Sequence, residues 1–179
     1  MTTIPLARIH GIDDLRLDSA APPLCGPDDV VVEVRECGIC GSDIGFLAMG
    51  GLLGPNNPMS LGHELWGTVS EAGAHVTHVS VGDRVVVQPM SNGNNIGNGG
   101  TEGGFSPLLL VRNAALDPGS TVKIPPELPE PYGALVEPLS VAQAFGFDPF
   151  ERVAGFLARE VNAHERFLRV AGLKGRHLV

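Results

Sequence analysis

Short apolar runs bounded by glycine and proline recur along most of the chain. Residues 30–35, VVVEVR, read as a strand, as do 67–71, GTVSE, and 83–87, DRVVV, the last opened by a turn at Val81-Gly82. Residues 105–112, FSPLLLVR, predict another, and Pro107 pushes it to a sheet edge or a bulge. Val122 to Ile124 is a short strand stopped by Pro125-Pro126. Strands of this length, separated by turn residues and without an internal repeat, predict a mainly β barrel or sandwich. Residues 91–104, SNGNNIGNGGTEGG, are nearly all Gly, Asn, Ser and Thr and predict a mobile loop that adds nothing to a core. No GKS or GKT follows its glycines and no strand–turn–helix frames them, so it is not a phosphate cradle.

From Asp148 the period changes. Asp148-Pro149-Phe150-Glu151 is a capping box with proline at the first helical position. Val153, Leu157, Val161, Leu168 and Ala171 then recur at helical spacing, and Gly172 and Gly175 supply the stop. Two units are therefore expected, residues 1–147 as the β domain and 148–179 as a C-terminal amphipathic helix.

Composition agrees: 24 glycines, 15 prolines and 5% aromatics in 179 residues suit short strands and tight turns better than a helical bundle. The net charge is −8. Residues 1–150 hold 17 of the 20 acids and six of the 12 bases, which leaves residues 151–179 net basic. An acidic body excludes nucleic acid as the main partner. MTTIPLARIHGIDDL has no signal-peptide layout. No apolar run reaches the ~18 residues of a membrane span. The expectation is a cytoplasmic protein without a membrane partner, in which a structural Cys37–Cys40 disulfide is disfavoured.

The chemistry concentrates in CGICGSD, Cys37 to Asp43, and GHE, Gly62 to Glu64. Cys37 and Cys40 could be a redox pair, half of a structural zinc knuckle, or an asymmetric pair in which one sulfur matters. A closed zinc knuckle wants four ligands, and Cys25 is the only other cysteine. Thiolate, imidazole and carboxylate are the groups that catalytic zinc takes. His10, His75, His78, His164 and His177 have no partner at ligand spacing. Trp66 suits a pocket wall and ordinary packing equally.

Gly62 to Val76, GHELWGTVSEAGAHV, resembles the zinc signature of the medium-chain alcohol dehydrogenases. VGDRVVV at 81–87 follows as in that family, and LVEPLSVA at 135–142 resembles its polyol branch, the sorbitol, butanediol and threonine dehydrogenases. The resemblance runs from about residue 24 to about residue 144 and implies a GroES-like barrel with short helices. It implies that Cys40 and His63 bind zinc, and that Cys37 does not. It implies that Glu64 binds the metal directly or exchanges with water, and that Glu137 holds the metal or its water. It implies that Ser42 takes the alcohol proton and that Asp43 holds the ligand histidine from behind. The implied reaction is oxidation of an alcohol or polyol CH–OH group with NAD(P) as hydride acceptor.

The chain also departs from the family. Residues 91–104 contain none of the cysteines of the structural-zinc lobe, so one catalytic zinc and no structural zinc is expected. Asp43-Ile44-Gly45 stands where relatives often complete the proton relay with histidine. Residues 143–179 contain no strand followed by G-x-G-x-x-G. The Rossmann domain is therefore expected to be absent, and NAD(P) has no recognisable site. A homo-oligomer or a partner chain would then be required, and the alternative function is a non-catalytic zinc-binding or interaction module.

Overall fold

The computed structural model describes residues 2–54 and 56–144. The helix expected over 148–179 lies outside the described residues. The remainder is mainly β. The elements are β1 (Ile4–Gly11), β2 (Asp14–Ala20), β3 (Val30–Gly38), α1 (Gly41–Met49), β4 (Met59–Ser60), β5 (Glu64–Ala72), β6 (Arg84–Val87), β7 (Leu108–Val111), β8 (Thr121–Lys123) and α2 (Val136–Ala144). A 3-10 segment, Glu130–Leu135, leads into α2.

Two antiparallel sheets form, in the orders β2-β1-β4 and β7-β3-β5-β6-β8. Ala7 of β1 donates its N–H to the carbonyl of Phe105, in the segment leading to β7, at 3.1 Å, and accepts from the N–H of Leu61, just after β4, at 3.4 Å. β3 is central, and Val30, Val31 and Val32 are all buried, as in a strand covered on both faces. The main core joins Val30, Val32, Leu65, Val69, Val85, Val87, Leu109 and Val111. A second core packs α1, through Leu47, against Ile9, Met59 and Leu61. β7 begins just after Pro107 and lies at a sheet edge, because proline cannot donate to a ladder.

One sequence expectation needs correction. The loop 91–104 does contribute to the core: Ile96 is fully buried in the main cluster. Its polar residues replace regular structure with specific bonds. The Asn94 amide donates to the Ser91 and Arg112 carbonyls and accepts from Arg112 N–H, at 2.9–3.0 Å. The Met49-Gly50-Gly51 stretch is the stop of α1: Gly50 takes the left-handed conformation (φ 80°) and its N–H closes back on the Leu47 carbonyl at 3.2 Å. The N-terminal hairpin of β1 and β2 has no counterpart among the sequence-based elements. Its buried residues Leu6, Ala7 and Ile9 break strict alternation, and a register shift falls between Ile9 and Gly11. Among the described residues no helix is long and apolar enough to cross a membrane.

Candidate metal centre

The site lies where β3 and β5 end together. Their antiparallel register sets Gly38 opposite Glu64 and Cys37 opposite Leu65. The chain leaves β3, anchors Ile39 in the second core, and reaches Cys40 at the N-cap of α1. Asp43, at the third helical position, accepts the Cys40 N–H at 2.9 Å. This is the returning half of a capping box. It supports a helix that carries Gly41 and Gly45, each costing about 1 kcal/mol relative to alanine. Opposite, Gly62 turns the chain with φ +90°, and a Cβ there would press on Phe105 N and Cys37 Sγ. Gly62 N–H points at Asp43 Oδ1 from 3.4 Å. One fully buried carboxylate thus ties the first turn of α1 to the segment that presents His63.

Donor atoms of Cys40, His63 and Glu64 lie within 4.8 Å of one another. His63 and Glu64 are buried, and Cys40 is half-buried. The two imidazole nitrogens face different neighbours. Nδ1 stands 3.6 Å from Asp43 Oδ1, and Nε2 stands 3.4 Å from Ser42 Oγ. The first distance is too long for a hydrogen bond, so Nδ1 is a buried nitrogen with an electrostatic neighbour and no hydrogen-bond partner. Metal bonds of about 2.0–2.3 Å draw donors together on this scale, and sulfur, nitrogen and carboxylate oxygen are zinc's ligand types. The residues fit a zinc ion.

Burial raises the Asp43 carboxyl above its ordinary value, against the opposing pull of His63 and two backbone N–H groups. Glu137, half-buried on the first turn of α2, is raised by burial too and feels the charge of His63. Its carboxylate stands outside the three-donor group. Cys37 is also outside it. Its Sγ packs against Gly62 and Gly104, and burial pushes the thiol well above its usual range. A thiol so protonated is neither a ready ligand nor a redox nucleophile. Trp66 is a packing residue: it joins Val86 and Ile124 in a third core, and its Nε1–H donates to Glu36 at 2.8 Å. The steric role of Gly62 had no sequence signal beyond its being glycine.

The alcohol dehydrogenase GroES-like domain family matches residues 26–125. This chain belongs to that family. It is similar to (R,R)-butanediol dehydrogenase of Bacillus subtilis (strain 168), 35% identical over 159 aligned residues that cover 76% of this chain and 44% of that protein. It is similar to human sorbitol dehydrogenase, 34% identical over 151 residues, covering 74% of this chain and 41% of that protein. Among solved structures, 2R,3R-butanediol dehydrogenase from Bacillus subtilis superimposes with a TM-score of 0.67 at 34% identity, over 78% of this chain and 45% of that one. A protein of Sinorhizobium meliloti 1021 solved with NADP bound gives a TM-score of 0.62 at 28% identity, over 78% of this chain and 44% of that one. The chain spans less than half the length of these relatives. The matched part is the mainly β, GroES-like domain of the medium-chain alcohol and polyol dehydrogenases.

Proposed function

We propose that this chain carries the zinc-dependent catalytic domain of an oxidoreductase that acts on the CH–OH group of an alcohol or polyol with NAD(P). The observation that carries the reading is the convergence of Cys40, His63 and Glu64 within 4.8 Å at the joined ends of β3 and β5. These three side chains would hold the zinc, and Glu137 would act on it or on its water. A bound zinc supplies Lewis acidity that lowers the pKa of a coordinated hydroxyl towards neutrality. Asp43 faces Nδ1 of His63, so the imidazole is presented through Nε2. Ser42, beside that nitrogen, receives the substrate hydroxyl proton at Oγ and releases it to solvent. One thiol with carboxylates makes a harder donor set than paired thiols, which suits hydroxyl-rich substrates.

NAD(P) supplies the hydride acceptor in this reading. Among the described residues every strand pair is antiparallel, so the parallel βαβ unit of a Rossmann dinucleotide site is not built from them. Binding of NAD(P) is assigned to another domain, a second copy or a partner chain. The three unpaired thiols suit a reducing cytoplasm.

Zinc per chain, measured by mass spectrometry on protein purified in metal-free buffers, tests the reading. One zinc is expected in the unaltered protein and none after Cys40→Ser or His63→Ala. A zinc-free unaltered protein that does not take up added zinc overturns it. Firm zinc binding without oxidation of butane-2,3-diol or sorbitol, in the presence of NAD(P) and the partner domain, would favour the non-catalytic module.

A further inference from the structure

Two glycines punctuate C-G-I-C-G, and they differ in what surrounds them. A Cβ on Gly41 would meet nothing within 4 Å. A Cβ on Gly38 would lie 2.7 Å from Glu64 Oε2 and 3.2 Å from Glu64 Cβ, and its third neighbour is the Glu64 carbonyl at 3.6 Å. The three nearest atoms that a Gly38 Cβ would meet therefore all belong to Glu64. Gly38 itself is in extended strand backbone, paired with Glu64, and is not among the residues with positive φ. No backbone conformation demands glycine here. Gly38 is the last residue of β3, where any L-residue could take the strand geometry, and glycine is depleted in strands generally.

We propose that Gly38 is a positioning residue: its missing side chain forms the slot in which the Glu64 carboxylate lies, within reach of Cys40 and His63. The carboxylate folds back across the Cα of its ladder partner rather than standing clear of the sheet. A methyl group at position 38 occupies the place of Oε2 and so moves the Glu64 carboxylate, one oxygen of which belongs to the three-donor group. At 2.7 Å something must shift, and the atom that gives is the carboxylate oxygen at the free end of the Glu64 side chain, while Glu64 Cβ at 3.2 Å is already tight. The backbone cannot retreat easily either, since Cys37 and Gly38 are held in register by β5.

The functional meaning of this slot rests on the zinc reading of the site, but its steric content does not. The test is a double-mutant cycle of Gly38→Ala with Glu64→Ala, with Gly41→Ala as control. Zinc affinity is read by competition with a chromophoric chelator, and the cobalt-substituted protein gives its ligand-field spectrum. The urea midpoint of the metal-free protein is read in parallel. Expected results are at least tenfold weaker zinc binding and an altered cobalt spectrum for Gly38→Ala when Glu64 is present. In the Glu64→Ala background the same substitution should change affinity less than twofold, and Gly41→Ala should leave the cobalt spectrum as it was. Equal losses in both backgrounds, or no loss with Glu64 present, overturn the proposal. Should Gly38→Ala fold only when Glu64 is also truncated, the slot is supported; failure to fold in both backgrounds overturns it. If the unaltered protein binds no zinc, the proposed function has failed, and the metal-free midpoints alone decide Gly38: coupling to Glu64 supports the slot, additivity removes it.

Discussion

Asp43→Asn isolates the one side chain that joins both halves of the site. Asparagine keeps the shape but not the charge or the second acceptor. Asp43 Oδ2 takes the Cys40 N–H, while Oδ1 faces Gly62 N–H and His63 Nδ1. Whichever way the amide is turned, its NH2 meets a backbone N–H in a fully buried place. A buried donor left unpaired costs about 1–3 kcal/mol. Against this, the variant no longer buries a charge, and burial is the leading cause of the raised Asp43 pKa. The sign with pH follows. A carboxyl whose folded pKa is raised stabilises the metal-free fold most when protonated, at low pH, and loses that contribution as pH rises through the raised value. Relative to the parent, metal-free Asp43→Asn should therefore gain ground as pH rises out of the acid range. Zinc binding should move the other way at neutral pH. Losing the carboxylate behind a ligand imidazole weakens metal affinity about 10–100-fold, or about 1.4–2.7 kcal/mol. Chelator competition gives the affinity, and urea unfolding of the metal-free protein at several pH values gives the stability. An unchanged zinc affinity in a folded variant would refute the argument that Asp43 orients His63.

Ile96→Ala should destabilise the protein by about 2–5 kcal/mol, as for other fully buried aliphatics. Fluorescence of the single, buried Trp66 reports the urea transition, and a loss within experimental error would place Ile96 outside the core. Cys37→Ala should retain zinc where Cys40→Ser does not, and iodoacetamide near neutral pH should label Cys37 only on unfolding, as its raised thiol pKa requires. Rapid labelling of Cys37 in the native state would contradict the packing described. In Gly133→Ala the new methyl group would overlap the Trp66 indole and should cost about 1–3 kcal/mol by overpacking, with a shift in tryptophan emission. An unshifted spectrum and unchanged stability would show that the Glu130–Leu135 segment does not rest on Trp66.

The strands of the five-stranded sheet were legible because their apolar runs are short and end in strong breakers. Val30–Val32 and Val85–Val87 announce a strand buried on both faces with no help from context. Cys40, His63 and Glu64 could be picked out as candidates because they sit in short motifs that resemble the family's, CGICGSD across the end of β3 and GHE at the start of β5; the spacing alone left a redox pair and a zinc knuckle open. What stayed hidden is tertiary. A helix at 41–49 is a poor prospect by propensity, with two glycines and a short apolar face, until Asp43 is seen returning to Cys40 N–H and Leu47 is seen buried. Residues 91–104 look like a solvated loop because their single large apolar residue, Ile96, is outnumbered by polar ones. The backbone nonetheless places that residue in the main core while Asn94 satisfies the carbonyls around it.

The placement of the site also depends on a feature that no motif encodes. The β3–β5 ladder shifts register twice, once between Val31 and Val32 and again between Val34 and Glu36. At the first shift β5 carries the extra residue, Ser70, whose hydroxyl donates to the Val31 carbonyl at 3.1 Å. At the second shift β3 carries the extra residue, Arg35. The two bulges compensate, so the strands finish in the register in which they began. Had only the first occurred, Gly38 would face His63 in place of Glu64, because a one-residue slip moves every following side chain to the other face. Gly38 would then offer its empty side to the wrong neighbour, and the Glu64 carboxylate would point away from Cys40. Bulges gather next to functional sites because they re-aim side chains without breaking a sheet. In this domain the second bulge lies only a few residues before Cys40. It turns a regular ladder into one that ends with thiol, imidazole and carboxylate facing one another.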